Sequence, residues 1–185
     1  MLTRSLLASG IRKRYHQVDP SRLQLKETID AYLDDLDANL ERGSGLVIVG
    51  PPGVGKTFTL SYLYQRLWWG HRQRLRTKYV FSPTLFRKIH DKDDISEYEK
   101  ADMLLLDDFG REYRADWLFS RFEELVEAKY ANMQPMIITA NLTVEQMEDN
   151  TIGRIIDRWR EGGRLLQISG ESMRRSLQEH GRGYV

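Results

Sequence analysis

The stretch that decides the fold is Leu46-Val47-Ile48-Val49-Gly50-Pro51-Pro52-Gly53-Val54-Gly55-Lys56-Thr57. Its first four residues are all apolar, which predicts a short strand buried on both faces. Residues 50–57 match the pattern G-x-x-x-x-G-K-[ST], and helical periodicity follows them. Glycines let successive backbone N–H groups face a phosphate chain, and the helix N-terminus attracts anions. The sequence therefore predicts a phosphate-binding loop, in which Lys56 would reach the β- and γ-phosphates and Thr57 would bind Mg²⁺.

Strand and helix signals alternate on both sides of this loop. A helical pattern over 25–40 comes before it, and Gly70 lies near the end of the helix that follows it. Further apolar strand signals occur at 79–81, 103–106, 136–139 and 165–168, with helical segments between them. This alternation predicts an α/β fold, with a five-stranded parallel sheet flanked by helices.

Composition indicates an ordinary globular chain and excludes several kinds of site. The 185 residues are 41% hydrophobic and 30% charged, and there is no cysteine, so disulfides, thiol catalysis and cysteine-bound metals are ruled out. The net charge of +1 conceals basic ends: residues 1–22 hold five basic residues and one acid, and residues 154–185 hold seven basic residues and four acids. We expect a basic N-terminal arm over 1–22 and one core domain over 23–185.

Two carboxylates follow the apolar run at 103–106. Ligands of parallel sheets bind beyond the carboxyl ends of the strands, so Asp107 and Asp108 are expected beside the phosphate loop. Asp107 would hold Mg²⁺, directly or through water, and Asp108 would polarise an attacking water. The alternative is that the two acids form only a polar turn after a strand. Their position in the sequence downstream of the phosphate loop favours a role in the nucleotide site.

A polar strand end and several arginines allow two interpretations each. Asn141 would orient the same water, or would simply cap a turn. Arg154 and Arg158 share a helix face. One of them would reach a neighbouring subunit's γ-phosphate, or both are ordinary surface residues. Arg174 would reach the nucleotide of its own subunit, or is likewise a surface residue.

The window from Arg66 to Lys88 contains seven basic residues, five aromatic residues and no acid. Such a composition suits a nucleic-acid surface, because cations follow the phosphate backbone and aromatic rings stack on bases. Core packing is the preferred interpretation for Tyr79 and Phe81, which lie on a predicted strand. For Arg87 and Lys88, both interpretations stay open.

In this order the motifs resemble the AAA+ ATPase core of the bacterial DnaC/IstB-like group, which contains replicative helicase loaders and helper ATPases of transposition. Residues 50–57 resemble Walker A, and 104–110 resemble Walker B with the glycine after it. The segments 10–11 and 14–15 resemble the part of the group that lies against adenine, which implies that Ile11 and Tyr15 bind the nucleotide. The resemblance also implies sensor 1 at Asn141, the arginine finger at Arg158 more closely than at Arg154, and sensor 2 at Arg174.

The resemblance further implies an AAA+ P-loop core with the C-terminal lid reduced to a short helix. It implies an ATP- and Mg²⁺-dependent ATPase that assembles head to tail with its own copies. As a helicase loader it would act on single-stranded DNA and a replicative ring helicase. It would act in the cytoplasm of a bacterium or of a phage-infected host, and no membrane would be involved. DNA contacts would lie on helices after the second strand, at Arg87 and Lys88.

Other functions stay open alongside the loader. One alternative is a transposition helper that acts on duplex DNA with a transposase, and another is a nucleotide-binding module without hydrolysis. The second Walker B acid is Asp108, where many AAA+ proteins have Glu, so we expect slow hydrolysis that a partner or DNA stimulates. The adenine-side segment begins within ten residues of Met1, which is expected of an excised core or of a short form.

Overall fold

A computed structural model describes residues 2–110, 116–141, 158, 161 and 163–170 of the chain. The sheet has five strands, all parallel, in the order β2-β3-β4-β1-β5. The strands are β1 (Gly45–Val49), β2 (Thr77–Phe81), β3 (Met103–Phe109), β4 (Met136–Ala140) and β5 (Gly163–Gln167). This confirms the predicted α/β class and the five-stranded parallel sheet.

The helices connect the strands and cover both faces of the sheet. They are α1 (Leu2–Ala8), α2 (Lys26–Asp34), α3 (Leu36–Glu41), α4 (Lys56–His71), α5 (Ser82–His90), α6 (Ser96–Glu99) and α7 (Asp116–Ala131). Among the described residues, no helix is long and apolar enough to cross a membrane. The helix predicted to carry Arg154 and Arg158 is described only at Arg158, and the short helix of the reduced lid lies outside the described residues.

Alternation along the central strands divides the core into two layers. Leu46 and Ile48 of β1 pack into the layer formed with α2, α3 and α4, and Val47 and Val49 pack into the layer formed with α5 and α7. Every residue of β1 and β4 is buried, as the continuous apolar runs predict. β5 lies at the edge, and its residues are half-buried or exposed.

Two elements differ from the sequence pattern. The helical signal over 25–40 is divided at Asp35 into α2 and α3, and the buried Asn39 donates its side-chain N–H to the carbonyl of Tyr32 at 2.9 Å. β3 extends through Asp107 and Asp108 to Phe109, although the apolar run ends at Leu106. Its pairing with β4 shifts register between Leu106 and Phe109, and this irregularity contains both carboxylates.

Candidate functional site

The loop between β1 and α4 has the backbone that its glycines allow. Gly50 has φ +152° and Gly55 has φ +106°, and both are values that residues with a side chain rarely adopt. A Cβ at Gly50 would also collide with the carbonyl of Ile168, just beyond β5. The loop therefore depends on glycine both for its turn and for its close approach to the neighbouring chain segment.

Lys56 begins α4 and turns its side chain back over the loop. It is only 6% exposed, and its Nζ donates to the carbonyl of Gly50 at 2.6 Å and to that of Pro51 at 2.8 Å. These bonds hold the ammonium group inside the curve of the loop. A phosphate bound in the loop would contact both this ammonium group and the N-terminus of α4.

Asp107 is the most buried acid of the site, at 2% exposure. Its Oδ1 accepts hydrogen bonds from Thr57 Oγ1 at 3.1 Å and Thr139 Oγ1 at 2.6 Å. Its Oδ2 accepts from the hydroxyl of Tyr79 at 2.8 Å. Burial raises the pKa of Asp107, and the hydrogen bonds from these three hydroxyl groups oppose that shift. The structure thus brings together Thr57 and Asp107, the two oxygen ligands that the sequence suggests for a metal.

Asp108 adopts an unusual backbone conformation for a residue other than glycine, with φ +64°. Its backbone N–H donates to Thr139 Oγ1 at 2.9 Å, and its Oδ1 accepts a hydrogen bond from Asn141 Nδ2. This left-handed residue lies where the pairing of β3 with β4 shifts register, between Leu106 and Phe109. The side chain of Asp107 contacts three hydroxyl groups there, and the side chain of Asp108 contacts Asn141. Asp108 and Asn141 are therefore adjacent, at the ends of neighbouring strands.

Sequence reasoning missed two residues of this cluster. Thr139 accepts from the N–H of Asp108 and donates to Asp107, so it connects the two acids. The only signal in the sequence was a polar residue inside the apolar run of β4. Tyr79 was interpreted as a core residue, and it is buried, but its hydroxyl is directed at Asp107. Burial, and then the negative charge of Asp107, raise the pKa of Tyr79, so this hydroxyl stays a donor.

The segment predicted to lie against adenine packs along α4. Ile11 is buried in the layer that also contains Val54. The ring of Tyr15 meets that of Phe58 edge to face at 4.9 Å, and its carbonyl accepts from Ser61 Oγ at 2.6 Å. Ile11 and Tyr15 thus belong to a segment fixed on the helix that follows the phosphate loop.

Arg158 lies apart from the clustered acids. Its Nε donates to Glu127 Oε2 at 2.9 Å, and its guanidinium group lies 4.8 Å from the ring centre of Tyr130, both on α7. The side chain is 41% exposed, so it is presented on the surface of the subunit. Arg154 and Arg174, the other two candidate arginines, lie outside the described residues.

Most cations of the window 66–88 have acidic partners in the chain. The ion pairs are Arg66–Asp30, Arg74–Asp37, Arg76–Asp102, Lys78–Glu97 and Lys88–Glu97. Lys88 also lies over the ring of Tyr98. Arg87 is exposed on α5, and no described residue forms an ion pair with it. Of the two cations proposed to contact DNA, Lys88 thus already has an acidic and an aromatic partner, and Arg87 has no ion pair with a described residue.

The family model described as "IstB-like ATP binding protein" matches residues 32–181. The replicative helicase loader DnaI of Bacillus subtilis is 25% identical over 138 residues, which cover 70% of this chain and 43% of DnaI. YqaM of the same bacterium, an uncharacterised protein, is 21% identical over 173 residues, which cover 80% of this chain and 53% of YqaM. The chain spans about half the length of these curated relatives.

Solved structures share the fold. The DnaC helicase loader matches with a TM-score of 0.71 and 23% identity, covering 85% of this chain and 100% of that one. DnaI matches with a TM-score of 0.68 and 22% identity, covering 87% and 93%. AMPPCP-bound DnaA from Aquifex aeolicus matches with a TM-score of 0.59 and 20% identity, covering 86% and 52%. The α/β sheet described above is therefore the fold of AAA+ helicase-loader structures.

Proposed function

The chain belongs to the family of IstB-like ATP-binding proteins, and on that premise we propose that it is an ATP- and Mg²⁺-dependent ATPase of the helicase-loader type. The observation that carries this proposal is the convergence of Lys56, Asp107 and Asp108 with the hydroxyl of Thr57 and the amide of Asn141. These groups come from the ends of three neighbouring strands, where ligands of parallel sheets bind.

Each group has a role that its contacts support. The backbone N–H groups of residues 53–57 and the ammonium group of Lys56 bind the phosphate chain. Thr57 Oγ1 and Asp107 Oδ1, which lie 3.1 Å apart, are the hard oxygen ligands that suit Mg²⁺. When bound, that ion neutralises charge on the phosphates. Ile11, Tyr15 and Arg174 are assigned to the nucleotide of the same subunit by the resemblance alone, since Arg174 lies outside the described residues.

Hydrolysis depends on Asp108 and on a second subunit. Asp108 polarises the attacking water, and Asn141 positions Asp108 and that water. Asp108 has a shorter side chain than the Glu that many AAA+ proteins have at this position, so its carboxylate lies farther from the attacking water, which supports a slow basal rate. The exposed Arg158 reaches the γ-phosphate of the adjoining subunit in a head-to-tail assembly.

The loader role is supported by the relatives. DnaI is named as a replicative helicase loader, and the structures of DnaC and DnaI have the same fold. A DnaA structure with the same fold is described as bound to AMPPCP and single-stranded DNA. We infer that this chain assembles on single-stranded DNA and contacts a replicative ring helicase, with Arg87 and Lys88 at the DNA.

One observation favours a second function. The matching family model is that of IstB from the IS21 group, which supports a transposition helper acting on duplex DNA.

Measurement of ATP turnover without DNA, with single-stranded DNA and with duplex DNA tests these functions. A loader should hydrolyse ATP several-fold faster with single strands, and Asp108→Asn should bind ATP but lose turnover. Stimulation by duplex alone would instead support the transposition helper. Binding without turnover under every condition would support the nucleotide-binding module. A pulldown from the native cell should recover a ring helicase, and recovery of a transposase would contradict the loader role.

A further inference from the structure

The proposed function leaves one strongly charged surface unused. The first acid in the chain is Asp19, and the residues before it include Arg4, Arg12, Lys13 and Arg14. All four side chains are exposed. In the part of the chain that the structure describes, no acid lies within ion-pairing distance of any of them.

This arm differs from the basic window at 66–88. In that window, five of the seven cations form ion pairs with acids of the same chain. A cation that already has a carboxylate partner gains less from an external anion, because the ion pair must be broken first. Arg4, Arg12, Lys13 and Arg14 would lose no ion pair with a described residue on binding.

The arm is also held in place by its apolar residues. Leu6 and Ile11 are each 1% exposed, and they bracket the turn that leads to Arg12. Tyr15 is fixed on α4 through Phe58 and Ser61, as described above. The guanidinium group of Arg12 lies 4.7 Å from the ring centre of Phe81, at the end of β2. Anchored cations bind at a lower entropic cost than those of a free tail.

We propose that this arm is a binding surface for the phosphate backbone of nucleic acid, through Arg4, Arg12, Lys13 and Arg14. Arg12-Lys13-Arg14 are consecutive, so they offer closely spaced cations to a polymer of closely spaced anions. Guanidinium groups pair with phosphates through two parallel hydrogen bonds. Among the described side chains of the arm, Leu7 alone is a large apolar group that is exposed, which is little apolar area for an anionic membrane or a protein groove.

The inference rests on the proposed function only in so far as that function acts on DNA. It adds a contact surface to Arg87 and Lys88, and it does not require hydrolysis. Binding by the arm is independent of base sequence, because every contact is to a phosphate.

The test compares two triple variants that lose the same charge. Arg4→Gln/Arg12→Gln/Lys13→Gln removes cations that form no ion pair with a described residue. Arg74→Gln/Arg76→Gln/Lys78→Gln removes cations of the window that do form one. Fluorescence anisotropy with a labelled single strand, at saturating ATP and several salt concentrations, gives the salt dependence of binding. Each phosphate contact contributes about 0.7 to that slope on single strands, so the arm variant should lose about 2 units. Its affinity should fall about a hundredfold at 0.1 M salt, whereas the control should keep the wild-type slope.

Three outcomes would overturn the proposal: an unchanged slope in the arm variant, equal losses in both variants, or wild-type protein that binds phosphatidylserine vesicles but no oligonucleotide. The arm variant loses no ion pair among the described residues, so its melting temperature should match that of the wild type. The control loses three surface ion pairs of about 0–1 kcal/mol each, so its melting temperature should fall by a few degrees while it stays folded at the temperature of the binding assay. ATP turnover in the same samples separates this inference from the proposed function. If DNA stimulates ATP turnover but the arm variant keeps the wild-type salt slope, only the DNA-binding role of the arm is refuted. If the arm variant has a smaller salt slope but the wild type shows no ATP turnover, only the proposed ATPase function is refuted.

Discussion

Thr139 connects the two acids of the candidate site. Its hydroxyl accepts from the N–H of Asp108 and donates to the buried Asp107, and the residue itself is 1% exposed. Thr139→Val keeps the shape but removes both hydrogen bonds, so we expect the free energy of unfolding to fall by about 1–3 kcal/mol. Urea denaturation measures this loss. Thr139→Ser, which keeps the hydroxyl, is the control, and a Val variant as stable as the Ser variant would contradict the role of the hydroxyl.

Single residues differ in how well the sequence predicts their place. The phosphate loop, Asp107, Asp108 and Asn141 were all expected at one edge, and the structure puts the acids and Asn141 side by side, because parallel strands end together. Thr139 and Tyr79 were not expected there. Their role depends on the strand face from which each side chain points and on the order of the strands in the sheet. A single polar residue in an apolar run indicates neither the face nor the order.

At the scale of elements, Lys129 connects α7 to its neighbours on the sheet. Its buried Nζ donates to the carbonyl of Glu99 at 2.8 Å, to that of Ala101, and to Gln134 Oε1 at 3.0 Å. Desolvation lowers the pKa of Lys129 to about 8. A buried cation thus holds together the end of α6, the start of β3 and the end of α7.

Replacement of this lysine should affect stability in a pH-dependent way. Lys129→Met leaves the buried carbonyl of Ala101 and the half-buried acceptors of Glu99 and Gln134 without this donor, so at pH 7 we expect it to lower the free energy of unfolding by about 1–3 kcal/mol. Between pH 8 and about pH 10.4 the unfolded lysine still binds a proton that the folded one has lost. The free energy of unfolding of the wild type should therefore rise with pH relative to the variant. Urea denaturation at pH 7, 9 and 10 measures the difference, and Lys100→Met is the exposed control. A difference that stays constant with pH would contradict a buried, titrating lysine.

The order of the elements was predictable, but some of their boundaries were not. Periodicity and apolar runs located all five strands, and burial on both faces explains the continuous apolar segments of β1, β3 and β4. The helical pattern over 25–40 continues through Asp35, so it did not reveal the break that separates α2 from α3. The extension of β3 through two acids also breaks the apolar pattern, because polar donors around them replace apolar packing.

At the scale of the whole molecule, hydrolysis is proposed to need two subunits. Arg158→Ala should reduce ATP turnover about 10³-fold or more, yet leave ATP affinity within a few-fold, because the finger acts on a neighbour's nucleotide. Mixing it with Asp108→Asn should restore part of the turnover, since some interfaces then pair an intact arginine with an intact acid. Arg121→Ala is a matched control, because Arg121 is also an exposed arginine with acidic partners on its surface. If no mixing ratio recovers turnover, a finger acting between subunits is not supported.

The central claim is that residues 50–57 bind ATP with Lys56 as the phosphate-binding cation. Titration calorimetry of Lys56→Ala with ATP and Mg²⁺ tests it most directly, with Lys100→Ala as the control and melting temperatures as a check of folding. We expect Lys56→Ala to stay folded and to show no measurable ATP binding, while Lys100→Ala binds ATP like the wild type. Wild-type ATP affinity in a folded Lys56→Ala variant would contradict the assignment of residues 50–57 as the phosphate-binding loop.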